Sequence, residues 1–162
     1  MASDTASEVK LEIGHVLFID VVGYSQLLIT QQSEHLETLR RIVRATVQAQ
    51  PDYGPVLCVL GLIDAALGRR DLALDEGRRA IALTPLEKDV NNGSRVLQYF
   101  AITAAWAGDK ELALEQLEAG LRAPAASQML SYGALKLFPV WDPLRGDPRF
   151  EKIVASLAPK KP

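Results

Sequence analysis

The chain has 162 residues, a formal net charge of -2 at pH 7, 48% hydrophobic residues and 23% charged residues. This composition is typical of one ordinary globular domain and argues against wholesale disorder. The near-neutral charge, without a basic stripe, gives no reason to expect nucleic acid as a partner. No apolar run is long enough to predict a helix that spans a membrane.

The cysteine content and the first residues indicate the compartment. The N-terminal sequence MASDTASEVK is polar and acidic, unlike a secretory signal. Cys58 is the single cysteine and cannot form an internal disulfide, which suits a reducing cytoplasm. Because Cys58 lies among Leu57, Val59 and Leu60, we predict a buried structural thiol rather than a nucleophile. A cytoplasmic location is therefore expected.

The first predicted element is a strand at residues 16–24, within the sequence GHVLFIDVVGYSQLL. Its residues are mostly apolar, and Asp20 is the one charged residue among them. A strand that is apolar on both faces belongs inside a sheet, but no second convincing strand follows. Three outcomes stay open: the segment forms a helix against the rest of the chain, packs as an irregular arm, or pairs with a strand of another chain.

An amphipathic helix is predicted next, from Ser33 to about Ala49. Its apolar positions recur at helical spacing and would cover the element that follows. These positions are Leu36, Leu39, Ile42 and Val43.

An internal repeat fills the middle of the chain. The sequence LCVLGLIDAALGRRDLALDEGRRAIAL at 57–83 aligns with LQYFAITAAWAGDKELALEQLEAGLRA at 97–123. Each copy predicts two helices, the first ending at Gly68 or Gly108 and the second beginning near Asp71 or Asp109. Small residues at i, i+4 and i+7 on the second helix predict close packing against a neighbouring helix. In the first copy these are Ala73, Gly77 and Ala80.

The repeat resembles the tetratricopeptide repeat, a helix pair that stacks into arrays. The first copy matches the motif at Leu57, Leu60, Gly61, Ala73, Ala80 and Pro85, and the second at Leu97, Phe100, Ala101, Ala113, Gly120 and Pro124. Asp64 and Gly77 depart from it, since the motif prefers aromatic residues there. The sequence LEKDVNNGS at 86–94 is predicted to be a loop that lengthens the period. The alternative is a generic pair of helical hairpins.

The C-terminal part is predicted to cap the array. Asp147 is a candidate N-cap, with Pro148 in the first helical position. Trp141 lies between two prolines and is expected to plug the turn before this helix. The helix should bury one face on the array. That face carries Phe150, Ile153, Val154 and Leu157.

Residues 14–46 resemble the beginning of a class III adenylyl or guanylyl cyclase catalytic domain. The resemblance is carried by Phe18, Asp20, Gly23, Tyr24 and Ser25 and by the helix that follows. In bacterial multidomain signalling proteins such a domain is followed by tetratricopeptide repeats. The resemblance implies that Asp20 matches one of the two aspartates that bind the catalytic metals.

The resemblance to the cyclase stops near Thr46, so most of the catalytic sheet has no counterpart. Two-metal catalysis needs a second carboxylate on a neighbouring hairpin, and none follows on a strand. The sequence therefore predicts no enzyme, no catalytic residue and no cofactor, with Asp20 as a relic metal ligand. It divides into a truncated cyclase-like segment at 1–48 and a repeat domain at 49–162.

The predicted fold is all-α: two tetratricopeptide-like helix pairs and a capping helix, preceded by a relic strand and a helix. The expected function is protein–protein interaction as an adaptor, with a protein or peptide partner and with no nucleic acid or membrane. A regulatory fragment that associates with a full-length class III cyclase, and a remnant without a selected role, are the alternatives. The oligomeric state stays open.

A partner-binding groove is predicted on the first helices of the two pairs. Four residues of the first helix in the second pair share one face at a spacing of three and four, and we call them the predicted stripe. They are Arg95, Gln98, Ile102 and Trp106. The facing wall on the first pair is formed by Cys58, Leu62, Ala65 and Ala66. An amphipathic helix would suit this groove. The alternative for Trp106 is burial between the repeats and the capping helix.

Overall fold

The computed structural model describes residues 28–124 and 130–159. Within these ranges the chain is all-α and has no strand, which confirms the predicted fold class for this part. The predicted strand at 16–24, with Asp20, lies outside the described residues. None of the described helices is long and apolar enough to cross a membrane. The helices are α1 (Ile29–Ala49), α2 (Gly54–Ala66), α3 (Arg70–Leu83), α4 (Val90–Trp106), α5 (Lys110–Arg122), α6 (Tyr132–Leu137), a 3₁₀ helix (Pro139–Leu144) and α7 (Pro148–Ser156).

The helices pack as two neighbouring pairs with α4 in the centre. α2 packs on α3, and α4 packs on α5. α4 also contacts α2, α3 and the 3₁₀ helix, whereas α1 packs on α2. Residues 100–105 of α4 are all buried as a result. The predicted domain boundary at residue 48 falls at the end of α1, and the division into two domains stays a prediction.

Glycines end the first helix of each pair, as the sequence predicts. Gly68 has φ 73° and Gly108 has φ 80°, a left-handed conformation that glycine adopts without steric cost. After Gly68, the Arg69 N–H donates to the Asp64 carbonyl at 2.8 Å. The N–H of Asp109 makes the matching bond at the end of α4. These bonds satisfy carbonyl groups that the helix itself leaves unpaired.

The second helices of the two pairs begin differently. Asp109 is the N-cap of α5, and its carboxylate accepts a hydrogen bond from Leu112 N at 3.2 Å. The matching position before α3 is Arg69, which has no side-chain acceptor, and Asp71 lies instead in the first turn of α3. Arg69 is therefore available for a different interaction, with acidic side chains of α1 and α2.

The small residues of α3 allow the close packing that the sequence predicts. Ala73 and Ala80 are fully buried at 0% exposure. A Cβ at Gly77 would overlap the ring of Phe100, which extends from α4 over this position. A side chain from the next helix pair therefore fills the space where a larger residue at position 77 would stand.

The predicted loop at 86–94 is wrong in its second half, since α4 begins at Val90. Asp89 caps this helix by accepting a hydrogen bond from Asn92 N at 2.9 Å. Gly93 lies in the first turn, where a Cβ would come 2.8 Å from Leu86 Cα. The turn-forming residues therefore serve as a helix cap and a close contact as well as a loop.

The C-terminal elements pack on the second helix pair, and their role as the cap of an array stays a prediction. Trp141 is 0% exposed, and its ring centroid lies 6.4 Å from that of Phe150. Asp147 caps α7 by accepting hydrogen bonds from Arg149 N at 2.9 Å and Phe150 N at 3.3 Å. Val154 is also buried. This face of α7 joins the larger apolar core, to which α4 and α5 contribute Phe100, Ala101, Ala104, Ala113, Leu114 and Leu117.

α1 covers α2 only partly. No residue of α1 is buried, although Leu36, Leu39 and Val43 are half-buried at helical spacing. Ile42 is 54% exposed, so its predicted place on the packing face is wrong. The physical reason is angular: a helix turns by about 100° per residue, which moves Ile42 off the face that carries Val43.

Candidate functional site

The predicted stripe does not form one exposed surface. Arg95 is exposed near the beginning of α4, and Trp106, at its end, is 51% exposed. Gln98 and Ile102 lie between them and are only 2% and 4% exposed. The prediction of a continuous accessible stripe is wrong for these two residues. Contact of Arg95 and Trp106 with a partner stays a prediction.

The position of α4 explains why the middle of the stripe is covered. Helical spacing places the four residues on one side, but α4 is packed against α2, α3, α5 and the 3₁₀ helix. Residues in the middle of such a central helix have little access to solvent. The predicted facing wall on α2 is similar, because Cys58 and Ala65 are buried, Leu62 is half-buried and Ala66 is exposed.

Trp106 is half-exposed and held in place. Its indole Nε1–H donates a hydrogen bond to the carbonyl oxygen of Val140 at 2.9 Å. The polar group of the side chain is thus satisfied inside the protein while about half of the residue faces solvent. Leu137 and Phe138, which precede Val140 in the chain, are 71% and 47% exposed. We call Trp106, Leu137 and Phe138 the Trp106 patch.

Arg145 fixes the backbone that carries Leu137 and Phe138. Its Nη1 donates to the carbonyl of Lys136 at 2.6 Å, and its Nη2 donates to the carbonyl of Phe138 at 3.1 Å. Its Nε also donates to Asp142 Oδ1 at 2.6 Å. The guanidinium therefore satisfies carbonyls at the C-terminal end of α6, where a helix leaves such groups unpaired. The exposed apolar side chains of the patch stand on an ordered backbone.

Sequence reasoning missed Leu137, Phe138 and Arg145 as members of a site. The signal in the sequence was the pair Leu137-Phe138 beside Pro139, two large apolar residues next to a helix breaker. That signal does not tell whether the side chains point inward or outward.

A cluster of charged side chains lies where α1, α2 and α3 meet. Asp64 of α2 is 0% exposed, and Arg40 of α1 places its Nε 2.5 Å from Asp64 Oδ1. Arg69 places Nη1 3.3 Å from the same oxygen, and it also pairs with Glu37 of α1. Glu76 of α3, 9% exposed, completes the cluster. Asp64, the unexpected residue in the repeat, is thus paired with an arginine from α1.

The electrostatics of this cluster are unusual at Glu76. Burial raises the pKa of Glu76 from 4.5 to about 7, and the charge of Asp64 and a hydrogen bond with it raise it as well. Arg40 and Arg79 oppose this shift. The hydrogen bond to Asp64 raises the pKa of Arg40, so that guanidinium stays charged. Sequence reasoning missed this cluster, since it noted Asp64 only as a departure from the motif.

The described residues hold no cluster of metal-ligating side chains, and their one cysteine is buried. No group of three or more His, Cys, Asp and Glu side chains in these ranges is placed to hold a metal ion. Cys58 is 1% exposed, and burial raises the pKa of its thiol to about 12, which confirms the predicted structural thiol. Asp20, the predicted relic metal ligand, lies outside the described residues.

Comparison of the chain with protein-family models, curated proteins and solved structures gave no match.

Proposed function

We propose that this chain is a non-catalytic adaptor that binds a protein partner through the Trp106 patch, on a tetratricopeptide-like array. The single observation that carries the proposal is Trp106 itself. A large aromatic side chain is half-exposed although its N–H group is satisfied by the Val140 carbonyl, so the exposed ring needs no polar partner to be covered.

The packing order supports a tetratricopeptide-like array. In such an array each helix pair contacts the next through the first helices and through the second helix of the preceding pair. Here α4 packs against both α2 and α3 in addition to its own partner α5. The glycine-terminated first helices and the buried Ala73 and Ala80 are also typical of this repeat.

The Trp106 patch has the character of an interaction surface. Leu137 and Phe138 expose apolar side chains on a backbone whose carbonyls bind Arg145, and Trp106 is held to the same segment by its hydrogen bond to Val140. An ordered aromatic residue loses little conformational entropy when a partner covers it, and Trp is among the residues that dominate binding energies. The chemistry favours a partner with an apolar helix face, and Arg95 would add a contact with an acidic residue at the periphery.

Affinity capture from a lysate, followed by titration of the recovered partner against purified variants, tests the proposal. Trp106→Ala should weaken binding by tenfold or more, which corresponds to about 1.4 kcal/mol. Arg95→Glu should weaken it less and in a salt-dependent manner. Arg44→Glu, which changes an exposed residue of α1, is the matched control and should bind like the parent chain.

Circular dichroism must show the same helix content in each variant, so that lost binding is not lost folding. Unchanged affinity in folded Trp106→Ala would refute the proposed patch. Deletion of residues 1–27 tests the alternative of a fragment that associates with a full-length cyclase. This deletion leaves α1 in place, and a partner lost with it but retained by Trp106→Ala would favour that alternative.

A further inference from the structure

The charged cluster between α1, α2 and α3 leaves two carboxylate oxygens without an N–H or O–H donor, unless one carboxyl is itself protonated. Both guanidinium contacts to Asp64 reach Oδ1, from Arg40 at 2.5 Å and from Arg69 at 3.3 Å. Among the described residues, no N–H or O–H group donates to Oδ2 of Asp64 or Oε2 of Glu76, and both atoms are buried. If both carboxylates were ionised, they would repel each other and these two oxygens would lack a donor.

We propose that Asp64 and Glu76 share one proton across the interface of α2 and α3, and that loss of this proton loosens the first helix pair. In this arrangement the protonated carboxyl of Glu76 donates a hydrogen bond to Asp64. One proton satisfies both buried oxygens and removes the repulsion between two like charges. Arg40 of α1 sets the pH at which the proton is lost, because its positive charge favours the ionised form of Glu76.

The charged groups of the cluster around Glu76 come from α1, α2, α3 and the turn before α3. α1 supplies Arg40 and Glu37, α2 supplies Asp64, the turn before α3 supplies Arg69, and α3 supplies Arg79. α4 packs against α2 and α3 as well, but at this point it presents the neutral Thr103, whose methyl group would lie 3.5 Å from a Cβ at Gly61. The same Cβ would lie 3.6 Å from Glu76 Cβ, so Thr103 and Glu76 both lie beside Gly61.

The second helix pair lacks this acidic pair. At the positions that match Asp64 and Glu76 in the repeat alignment, it carries Ala104 and Gln116. Gln is the neutral counterpart of a protonated Glu. The comparison within one chain indicates that the fold needs no ionised carboxylate at the position of Glu76.

The direction of the pH effect follows from the raised pKa of Glu76. A group whose pKa is higher in the folded state than in the unfolded state stabilises the fold when it is protonated. This stabilisation is complete below pH 4.5 and is lost as the pH rises through about 7, the pKa of Glu76 in the folded chain. The first helix pair should therefore be more stable in mild acid than at pH 8.

The substitution Glu76→Gln tests the shared proton, with Glu115→Gln on the exposed face of α5 as its control. The urea concentration at the midpoint of unfolding should decrease as the pH rises from 5 to 8, both in the parent chain and in Glu115→Gln. In Glu76→Gln the midpoint should change little with pH, and at pH 8 it should lie at a higher urea concentration than that of the parent chain. Both histidines remain in every variant, so the difference between variants reports Glu76. A parent-like fall in Glu76→Gln would overturn the proposal.

Two further measurements locate the effect. Infrared spectroscopy at pH 6 should detect a protonated carboxyl band that is absent in Glu76→Gln, and Arg40→Gln should shift the titration of that band to higher pH. Amide hydrogen exchange, corrected for its intrinsic pH dependence, should show faster opening of α2 and α3 at pH 8 than at pH 6, with α5 unchanged. An absent band, an unmoved titration or equal changes in α3 and α5 would each contradict the proposal.

Discussion

The ring of Phe100 in α4 fills the space above Gly77 in α3, where a side chain would otherwise stand. The two residues belong to successive helix pairs, so this contact sets how closely the second pair approaches the first. A glycine inside a helix normally costs roughly 0.5–1 kcal/mol relative to alanine. Glycine nevertheless suits position 77, because the Phe100 ring occupies the space that a Cβ would need.

Gly77→Ala should therefore destabilise the chain although alanine is the better helix former. The added Cβ would overlap the Phe100 ring, and overpacking of this kind costs about 1–3 kcal/mol. Gly133→Ala in α6 is the matched control, because a Cβ there meets nothing within 4 Å. Urea unfolding monitored by circular dichroism should show a loss for the first variant and no loss for the second. Equal stabilities would contradict the packing described for α3 and α4.

Arg40→Met should destabilise the chain by about 3 kcal/mol, because removal of one partner leaves the buried carboxylate of Asp64 without its closest positive charge. The double variant Arg40→Met with Asp64→Leu should recover most of this loss, since an apolar pair of similar size avoids the cost of burying charge. A double-mutant cycle at pH 8 gives the coupling between the two residues. Additive effects of the two substitutions would show that the ion pair does not link α1 to α2.

Cys58 should resist thiol reagents while the chain is folded. Burial raises the pKa of its thiol to about 12, so the reactive thiolate is scarce at pH 8, and the 1% exposure also blocks access. Ellman's reagent should react at pH 8 only after urea has unfolded the chain. Rapid reaction of the folded protein would show that α2 opens far more easily than its burial indicates.

The chain should form no cyclic nucleotide from ATP or GTP with Mg²⁺ or Mn²⁺. The reason is the predicted absence of a second metal-binding carboxylate on a sheet, without which a two-metal mechanism has no site. Product formation by the purified chain can be measured by chromatography against a blank without protein. Turnover that Asp20→Ala abolishes would contradict this prediction.

Features that depend on neighbours in sequence could be predicted from the sequence. The glycine ends of α2 and α4, the Asp147 cap and the small-residue face around Ala73 each follow from a few adjacent positions. Exposure along α4 could not be predicted in this way. The burial of Ile102 depends on how α4 is packed against elements far away in the chain, and helical spacing alone says nothing about which elements cover a face.

The contacts that form the two sites could not be predicted from neighbouring residues either, since they join distant parts of the chain. The ion pair of Arg40 with Asp64 joins residues 24 positions apart, and the hydrogen bond of Trp106 to Val140 joins residues 34 positions apart. In the sequence, Asp64 was visible only as an unexpected residue in the repeat motif. Such a departure marks a position whose partner comes from another element, but it does not name the partner.

If the helix pairs form the proposed array, the C-terminal elements determine where that array could be lengthened. Trp141, Leu144 and Phe150 share one apolar core with Leu114 and Leu117 of α5, so the side of α5 that a third pair would need is already covered. A designer who wishes to lengthen the array cannot simply append a repeat after residue 159. The new helices would have to be inserted ahead of residue 130, so that the existing C-terminal elements cover the last helix pair of the longer protein.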